Sequence, residues 1–277
     1  MLNDFSFRLL TSLMRMKPSF ILPGETKCGT TTFYRCLNQH PLIISADIKE
    51  PNNFIQYGGT SIFCRMHYPF FFRKFFNRKL IAGEGSVEYL SKRRIPTVIH
   101  SLLPDVKLII MLRNPITRAL SDFKMMKEHG DEPDDFATVV RNVFQWLRDT
   151  RLTRLVEVAQ ETDNPPLRYL TKGCYIDTIT PWLDRFPRKN ILFVRSENFF
   201  KDPQEQLDLA FKHLNLPSYQ VKNIPHLRKA RISLPVDRET IELLADYFQP
   251  YNTRLGQLLG DEFTWEKETH ELLSTFE

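Results

Sequence analysis

The chain has 277 residues, 42% hydrophobic and 26% charged, as expected for a soluble globular protein. Its four cysteines include no C-x-x-C pair, which excludes a zinc pattern and a disulfide framework but leaves one disulfide open. No apolar run approaches the roughly 18 residues of a membrane span. The length favours one large α/β domain, and the net charge of +5 favours an anionic partner such as a nucleotide or a sulfated or carboxylated polymer.

Residues 1–18 differ in character from the rest of the chain. Apolar residues recur there at helical spacing with basic residues between them: Leu2, Phe5, Leu9, Leu13 and Met16, with Arg8, Arg15 and Lys17. A targeting peptide, a helix lying on a surface, a stem remnant and a packing helix all fit this pattern. We expect an extension over 1–18 and a single domain over 19–277.

Strands and helices alternate from residue 18 onward. "SFILPG", "LIIS" and "KLIAGEGS" predict three strands, and a helix begins after the first of them at Thr30. "VKLIIMLRNP" predicts a central parallel strand because its apolar run is continuous. Asn114 and Pro115 then suit the N-cap and first position of a helix. With a later strand, "NILFVRSENF", and amphipathic helices, this order predicts an α/β fold with a mostly parallel sheet flanked by helices.

The stretch "LPGETKCGTTTFYRCL" joins the first strand to the first helix. Gly24 and Gly29 have the glycine spacing of a Walker loop, but Lys27 precedes the second glycine and Thr30 takes the usual lysine position. The backbone amides of such a loop and the N-terminus of the following helix can bind an anion. An ordinary strand-to-helix turn is the alternative.

Two further motifs follow predicted strands. In "RNPITRALSDF", Arg113 ends the central strand and Ser121 lies two turns into the next helix, so the pair can bind a second phosphate. The alternatives are a structural salt bridge and a satisfied helix hydroxyl. In "IKEPNNF", Lys49 and Glu50 precede Pro51, and the carboxylate of Glu50 could act as a general base, although an exposed surface pair would look the same.

Together these motifs resemble the sulfotransferases that use 3′-phosphoadenosine 5′-phosphosulfate (PAPS). "KCGTT" matches their K-x-G-T-T loop, and "RNPITRALS" matches their R-x-P-x-x-R-x-x-S motif. The sequence is most similar to Golgi carbohydrate sulfotransferases of the heparan sulfate 3-O and chondroitin 6-O types. "KEPNNF", "KGCYIDTITPWLDRFPRKNILFVRSENFFKDP" and "YFQPYNTRLGQLLGDEFTW" extend this resemblance from Phe20 to about Trp265.

The resemblance implies a P-loop-like three-layer fold and transfer of a sulfuryl group from PAPS to an acceptor hydroxyl, that of a carbohydrate, with PAP as product. It implies catalytic roles for Glu50 as base and Lys27 at the leaving group. The implied donor-binding residues are Lys27, Cys28, Gly29, Thr30, Thr31, Thr32, Arg113, Ser121, Lys229 and Arg231. It further implies no metal, no nucleic-acid partner and location in the Golgi lumen.

The sequence departs from the family pattern at three places. Asn52 replaces a histidine, Gly85 stands near the position of a lysine, and a cysteine-closed hairpin is absent. Two other functions are considered: a P-loop-type kinase, which should have a lysine where Thr30 stands and an acidic metal ligand where Arg113 stands, and an inactive glycan-binding protein with the same fold, which Asn52 favours. If Glu50 is not the base, His67 and His129 are the next candidates.

Overall fold

The structure is a computed structural model that describes residues 11, 14, 16–46, 50–56, 77–150, 165–224 and 235–276. The chain divides into two compact units. Unit 1 comprises Met1–Leu112 and Thr180–Leu227, and unit 2 comprises Arg113–Ile179 and Arg228–Glu277. The predicted boundary between an extension over 1–18 and a domain over 19–277 stays a prediction.

Unit 1 contains a five-stranded sheet in the order β2-β3-β1-β4-β5, and every neighbouring pair is parallel. The strands are β1 (Pro18–Leu22), β2 (Ile43–Ser45), β3 (Ile81–Gly85), β4 (Lys107–Leu112) and β5 (Ile191–Arg195). The predicted parallel α/β fold is therefore confirmed. The strand order reverses direction at β1, and ligands of such sheets bind beyond the carboxyl end at that point.

The central strands explain the apolar sequence runs. From Leu108 to Leu112 every residue of β4 is fully buried, as expected for a strand covered on both faces. The register pairs Leu22 of β1 with Gly85 of β3, and Leu112 of β4 with Arg195 of β5. Within each of these pairs, the two loops that follow therefore leave the sheet at the same level.

The described residues form eleven helices. In chain order they are α1 (Thr30–Leu37), α2 (Asn53–Gln56), α3 (Ile95–Leu102), α4 (Pro115–His129), α5 (Phe136–Thr150), α6 (Pro165–Thr171), α7 (Tyr175–Leu183), α8 (Ser196–Lys201), α9 (Pro203–His213), α10 (Arg238–Leu259) and α11 (Glu266–Ser274). Short 3₁₀ helices span Arg188–Asn190 and Asp261–Thr264.

Unit 2 is built from helices packed around one apolar core. The buried side chains come from α4, α5, α6, α10 and α11, and from the residue before α7: Ile116, Ala119, Leu120, Phe123, Phe136, Val139, Val140, Val143, Leu167, Tyr169, Leu170, Cys174, Ile241, Leu244, Phe248 and Leu272. Burying one such large side chain stabilises the fold by about 1.5–3 kcal/mol. The helix α10 continues through Pro250, which is exposed. A proline inside a helix removes one backbone donor, and its ring crowds the carbonyl group four residues earlier.

Two features are absent from the described ranges. None of the helices there is both long enough and apolar enough to cross a bilayer. The same residues contain no group of three histidine, cysteine or acidic side chains placed to hold a metal. The predicted independence from metals stays a prediction.

Candidate active site

The loop from Pro23 to Gly29 joins β1 to α1, and its two glycines are required by its shape. Gly29 has φ +81° and forms the N-cap of α1. A Cβ atom on Gly29 would lie 2.9 Å from the Cζ atom of Phe200. Gly24 has φ +24°, and its Cβ atom would lie 2.4 Å from Cγ2 of Thr30. The predicted glycine spacing thus has a steric cause at both ends.

The N-terminus of α1 has no side-chain cap. Its first internal hydrogen bond is donated by the Phe33 amide to the Gly29 carbonyl at 3.1 Å. The amides of Thr30, Thr31 and Thr32 therefore have no acceptor within the helix. Gly29 supplies no side-chain cap, and the first turn contains no acidic residue. These amides and the positive end of the helix dipole are groups that can bind an anion, and the anion site of the sequence analysis stays a prediction.

Lys27 lies within this loop in a left-handed backbone conformation. Its φ is 71°, a region that costs a residue with a Cβ atom about 1–2 kcal/mol. Such conformations persist where the surrounding structure enforces them, and they are frequent at ligand-binding sites. The backbone at Lys27 is therefore fixed by the fold of the loop.

The buried carboxylate of Glu25 is hydrogen-bonded within the same loop and to the turn after β3. Glu25 is fully buried, and its Oε1 atom accepts a hydrogen bond from the Thr26 amide at 2.8 Å. Its Oε2 atom accepts from the hydroxyl of Ser91, and the Thr26 hydroxyl donates to Glu88 at 3.4 Å. The turn after β3 is thereby tied to the loop after β1. The sequence analysis missed Glu25, although a carboxylate in a loop that is predicted to bind an anion indicates a structural role for that carboxylate.

Ser196 ties the loop to the end of β4. This buried serine begins α8, and its Oγ atom lies 2.7 Å from the carbonyl oxygen of Cys28 and 2.9 Å from that of Leu112. The Cys28 amide also donates to the Glu25 carbonyl at 3.2 Å. The amide and the carbonyl of Cys28 are thus both hydrogen-bonded within the protein. The next residue, Gly29, is the N-cap of α1 and supplies no side chain to it.

The segment that contains Glu50 is also held in an unusual backbone shape. Glu50 has φ 53° and Asn52 has φ 48°. The Asn52 amide donates to the Ser86 hydroxyl at 3.3 Å, and the Phe54 amide donates to the Tyr89 hydroxyl at 3.4 Å. The turn after β3 therefore fixes the backbone that carries the predicted base.

A second buried carboxylate supports this turn. Glu84 of β3 is fully buried and accepts a hydrogen bond from Ser86 at 2.8 Å. Burial and the nearby charge of Glu84 both raise the pKa of Tyr89, so this phenol stays protonated. A Cβ atom on Gly85 would lie 3.6 Å from the Tyr34 ring, an ordinary contact distance. The family has a lysine near this position, and the structure leaves room for a Cβ atom at Gly85. Lack of space at Cβ therefore does not explain why this chain has glycine there.

Glu50 shares a cleft with the open end of α1. The cleft lies within unit 1 and has a volume of about 260 Å³. Its described lining comes from α1, the end of β2, the Glu50 segment and the turn after β3: Thr30, Thr31, Tyr34, Arg35, Asn38, Ser45, Ala46, Glu50, Gly85 and Val87. The structure thus brings the predicted base together with two of the predicted donor-binding threonines.

In unit 2, the predicted phosphate-binding residues follow one face of α4. Arg113 precedes the helix, and its Nε atom donates to the hydroxyl of Thr117 at 3.0 Å. Ser121 lies one further turn along and is half-buried. The spacing Arg113, Thr117, Ser121 is four residues each time, which places all three on one side of the helix. Thr117 was missed by the sequence analysis, although this spacing indicates it.

The second arginine of the same motif has a structural role. Arg118 is fully buried, and it pairs with Asp122 at 3.2 Å and donates to the carbonyl of Tyr169. Arg168 pairs with the other oxygen of Asp122 at 3.1 Å. Burial alone would raise the pKa of Asp122, but Arg118 and Arg168 outweigh it and hold the pKa below its usual value. The motif therefore combines a candidate ligand-binding face with a buried ion-pair network.

Several predicted residues lie outside the described part of the chain. These are Lys49, His67, Lys229 and Arg231. His129, the other alternative base, is the exposed last residue of α4. The roles predicted for these five residues stay predictions.

The fold and the loop define a P-loop-like α/β protein whose glycine loop follows the carboxyl end of β1. A sequence model of the sulfotransferase domain matches residues 17–231. This match covers more than half of the chain, and the chain therefore belongs to the sulfotransferase domain family.

Curated relatives are carbohydrate sulfotransferases. Carbohydrate sulfotransferase 15 of Mus musculus is 27% identical over 311 residues, which cover 91% of this chain and 55% of that protein. Heparan sulfate glucosamine 3-O-sulfotransferase 3A1 of Mus musculus is 26% identical over 285 residues, covering 93% of this chain and 67% of that protein. The chain thus spans little more than half the length of the first of these relatives.

A solved structure has the same fold. The sulfotransferase from Alicyclobacillus acidocaldarius superposes with a TM-score of 0.68 at 24% identity, covering 88% of this chain and 96% of that one. The family match favours neither of the two other functions considered, the P-loop-type kinase and the inactive glycan-binding protein.

Proposed function

We propose that this chain transfers a sulfuryl group from PAPS to a hydroxyl of a carbohydrate. The observation that carries the proposal is the cleft of unit 1, where Glu50 and the threonines at the open end of α1 line the same cavity. Membership of the sulfotransferase domain family and the names of the relatives support the reaction class and the acceptor class.

The donor's 5′-phosphosulfate suits the loop between β1 and α1. We assign its binding to the amides and hydroxyls of Gly29–Thr32, because an uncapped helix end offers donors to an anion. Lys27 is assigned to the bridging oxygen, where negative charge grows as the sulfuryl group leaves. Cys28, which the resemblance also implicates, is assigned to the shape of the loop because both of its backbone groups are bonded within the protein.

The donor's 3′-phosphate is assigned to Arg113 and Ser121. An arginine offers a fork of N–H donors that matches a phosphate, and a serine hydroxyl one helix turn beyond Thr117 adds a further donor. Thr117 acts through Arg113 as a positioning residue, since it accepts the hydrogen bond from Nε. Lys229 and Arg231 are retained as proposed donor contacts from the resemblance.

The reaction proposed is an in-line displacement at sulfur. The acceptor oxygen forms a bond to sulfur while the bond from sulfur to the bridging oxygen breaks, and PAP leaves. Glu50 takes the proton of the acceptor hydroxyl, and Lys27 stabilises the charge on the departing oxygen. Positioning and charge stabilisation supply most of the catalysis in the related phosphoryl transfers. Location in the Golgi lumen stays an expectation from the resemblance.

Two measurements test this proposal. PAP should raise the melting temperature of the protein, while ATP with Mg²⁺ should raise it far less. Radiolabelled PAPS should then transfer label to at least one member of a panel of unsulfated and sulfated glycans. Equal or greater protection by ATP with Mg²⁺ would favour the kinase. Protection by PAP without transfer to any glycan would favour the inactive binding protein.

A further inference from the structure

Glu25 is a fully buried carboxylate inside a loop that is proposed to bind an anionic donor. A negative charge at this place repels the donor, so the affinity for the donor gives no reason for it. Burying a carboxylate is also unfavourable unless the group is hydrogen-bonded. The role of Glu25 therefore has to come from the groups that its side chain binds.

The backbone from Glu25 to Cys28 forms a β-turn. The Cys28 amide donates to the Glu25 carbonyl at 3.2 Å, and Lys27, the third residue of the turn, has φ 71°. Thr26, the second residue, does not have a positive φ. This order of signs is the pattern of a type II turn, whose third residue is usually glycine or asparagine. A lysine there favours the type I turn instead, in which the third residue has φ of about −90°.

The carboxylate of Glu25 binds both this turn and a neighbouring segment. Its Oε1 atom accepts from the Thr26 amide at 2.8 Å, which fixes the entry of the turn, and its Oε2 atom accepts from the Ser91 hydroxyl. The segment of Ser91 is itself held, because the carbonyl of Leu90 accepts from the indole of the buried Trp182 at 3.3 Å. Glu25 thus attaches the entry of the turn to a fixed point outside the loop.

The exit of the turn is fixed without Glu25. The Ser196 hydroxyl lies 2.7 Å from the carbonyl oxygen of Cys28. With this end held, the backbone at Lys27 depends on the entry, and the entry depends on Glu25. Loss of the bonds of Glu25 would let the turn relax to type I, which relieves the positive φ of Lys27 and turns its side chain in another direction.

We propose that Glu25 is a positioning residue for Lys27, because it keeps the turn in the strained form from which the lysine reaches the bridging oxygen of the donor. This inference rests on the proposed function and adds to it a residue that acts through another. The hydrogen bonds of Glu25 carry this role, since its charge alone repels the donor. A side chain of the same length that still binds Thr26 and Ser91 should therefore replace it.

The test measures, by titration calorimetry, the binding of PAP and of adenosine 3′-phosphate, which lacks the 5′-phosphate. Lys27 is assigned to the 5′ side, so PAP alone should respond to changes in the turn. Glu25→Met removes both hydrogen bonds of the carboxylate. It should weaken PAP binding roughly tenfold, the size expected when a hydrogen bond to a charged group is lost, and leave the affinity for adenosine 3′-phosphate unchanged.

Two further variants keep the test decisive. Ser91→Ala removes one of the two bonds and should weaken PAP binding about two- to fivefold, also where Glu25→Met does not fold. Glu25→Gln separates the bonds from the charge. Its amide oxygen can accept from the Thr26 amide while its nitrogen donates to Ser91, whose hydroxyl can accept as well as donate. Its PAP affinity should be native or slightly higher, because a negative charge is removed.

A matched control comes from unit 2. Glu132 is a buried carboxylate that accepts from the Tyr169 hydroxyl at 3.1 Å. Glu132→Met makes the same chemical change as Glu25→Met at a residue without an assigned role at the donor. Both nucleotide affinities should stay at their wild-type values in this variant.

A double-mutant cycle assigns the effect to Lys27. Lys27→Met should weaken PAP binding by itself. Glu25→Met should add no further loss in that background, because no ammonium group is left to position. In the transfer assay with the best glycan of the panel, Glu25→Met should lower kcat and leave the KM for the glycan unchanged.

Other results would overturn the inference. An additive loss in the Lys27→Met background, or an equal loss of both nucleotides, would show that Glu25 supports the loop in general. A Glu25→Gln protein as weak as Glu25→Met would show that the charge matters, and native PAP binding by Glu25→Met would show that the bonds do not. In each case a wild-type protein that binds PAP and transfers sulfuryl groups leaves the proposed function standing. A wild-type protein that does neither would overturn the proposed function itself.

Discussion

The helices α1 and α4 each follow a parallel strand, β1 and β4, and they begin in opposite ways. The helix α1 starts at Gly29, which provides no side-chain cap. The helix α4 starts at Asn114, whose Oδ1 atom accepts from the amides of Ile116 and Thr117 at 3.0 and 3.1 Å. The first helix end is open to a ligand, and the second is closed by its own residue.

The difference shows that a strand-to-helix start is not by itself an anion site. At α4, Pro115 lacks an N–H and Asn114 occupies the next two amides, so few backbone donors remain. A phosphate at this helix must therefore be bound by side chains, and the motif supplies Arg113 and Ser121. At α1 the backbone amides of the first turn are themselves proposed to bind the donor.

The largest effect is expected at Glu50, which belongs to neither of the two helix starts. Glu50→Gln keeps the size and hydrogen bonding of the side chain but cannot accept a proton. Turnover should fall by roughly 10²–10⁴-fold, the usual contribution of general acid–base catalysis. The dissociation constant of PAP, measured by titration calorimetry, should stay unchanged because Glu50 is assigned to the acceptor. Near-native turnover would instead direct attention to His67 and His129.

A single methyl group at Gly29 should disrupt the uncapped start of α1. Gly29→Ala places a Cβ atom 2.9 Å from the Phe200 ring at φ +81°, so the loop or that ring must move, and PAP binding should fall about tenfold. Gly130→Ala is the matched control, since Gly130 has φ +83° with no atom within 4 Å of its Cβ position. Both variants should lose about 1–2 kcal/mol of stability to the backbone conformation. Normal PAP binding by Gly29→Ala would show that the shape of this loop does not matter to the donor.

At the start of α4, the affinity for PAP should depend on Arg113, and the stability of the fold should depend on the adjacent residue, Asn114. Arg113→Ala should weaken PAP binding by about 1.5–3 kcal/mol, the value of a hydrogen bond to a charged group. Asn114→Ala should leave PAP affinity nearly unchanged but lower the free energy of unfolding by about 0.5–2 kcal/mol, because it removes the cap. Calorimetry and urea unfolding on both variants measure these effects. An Arg113→Ala protein with native PAP affinity would make Arg113 a structural residue.

The smallest effect is expected at Ser121. Ser121→Ala removes one neutral hydroxyl from the candidate phosphate-binding face and should weaken PAP binding by about 0.5–1.5 kcal/mol. Ser101→Ala in α3, whose hydroxyl donates to the Val98 carbonyl at 2.8 Å, provides a control with the same chemical change. Equal PAP affinities in the two variants would remove Ser121 from the donor site.

The sequence predicted the sheet and the helix starts because their signals are local. The continuous apolar run of β4, the Asn114–Pro115 pair and the glycines of the first loop each determine structure within a few residues. The supports of the site were not predicted, because their partners are distant in the chain. Ser196 bonds to Cys28 across 168 positions, and Glu25 bonds to Ser91 across 66. No periodicity in one sequence indicates such pairs.

The proposed base, Glu50, could be predicted only in part from the sequence. A short motif indicated Glu50, but only the structure places it in one cleft with Thr30 and Thr31. The rotation of α1, which brings Arg35 to the same cleft, depends on the bonds of Tyr34 to β3 and to the end of β2.

The left-handed backbone of Lys27 has a consequence for the entropy of binding. Fixing the backbone of one residue costs roughly 1–2 kcal/mol, and here that cost is met when the protein folds rather than when the donor arrives. A loop that is already ordered binds with a smaller entropic penalty than one that must close around its ligand. Replacing Lys27 by a β-branched residue, which tolerates positive φ less well than lysine, would therefore remove an ammonium group and also raise the cost of this backbone conformation.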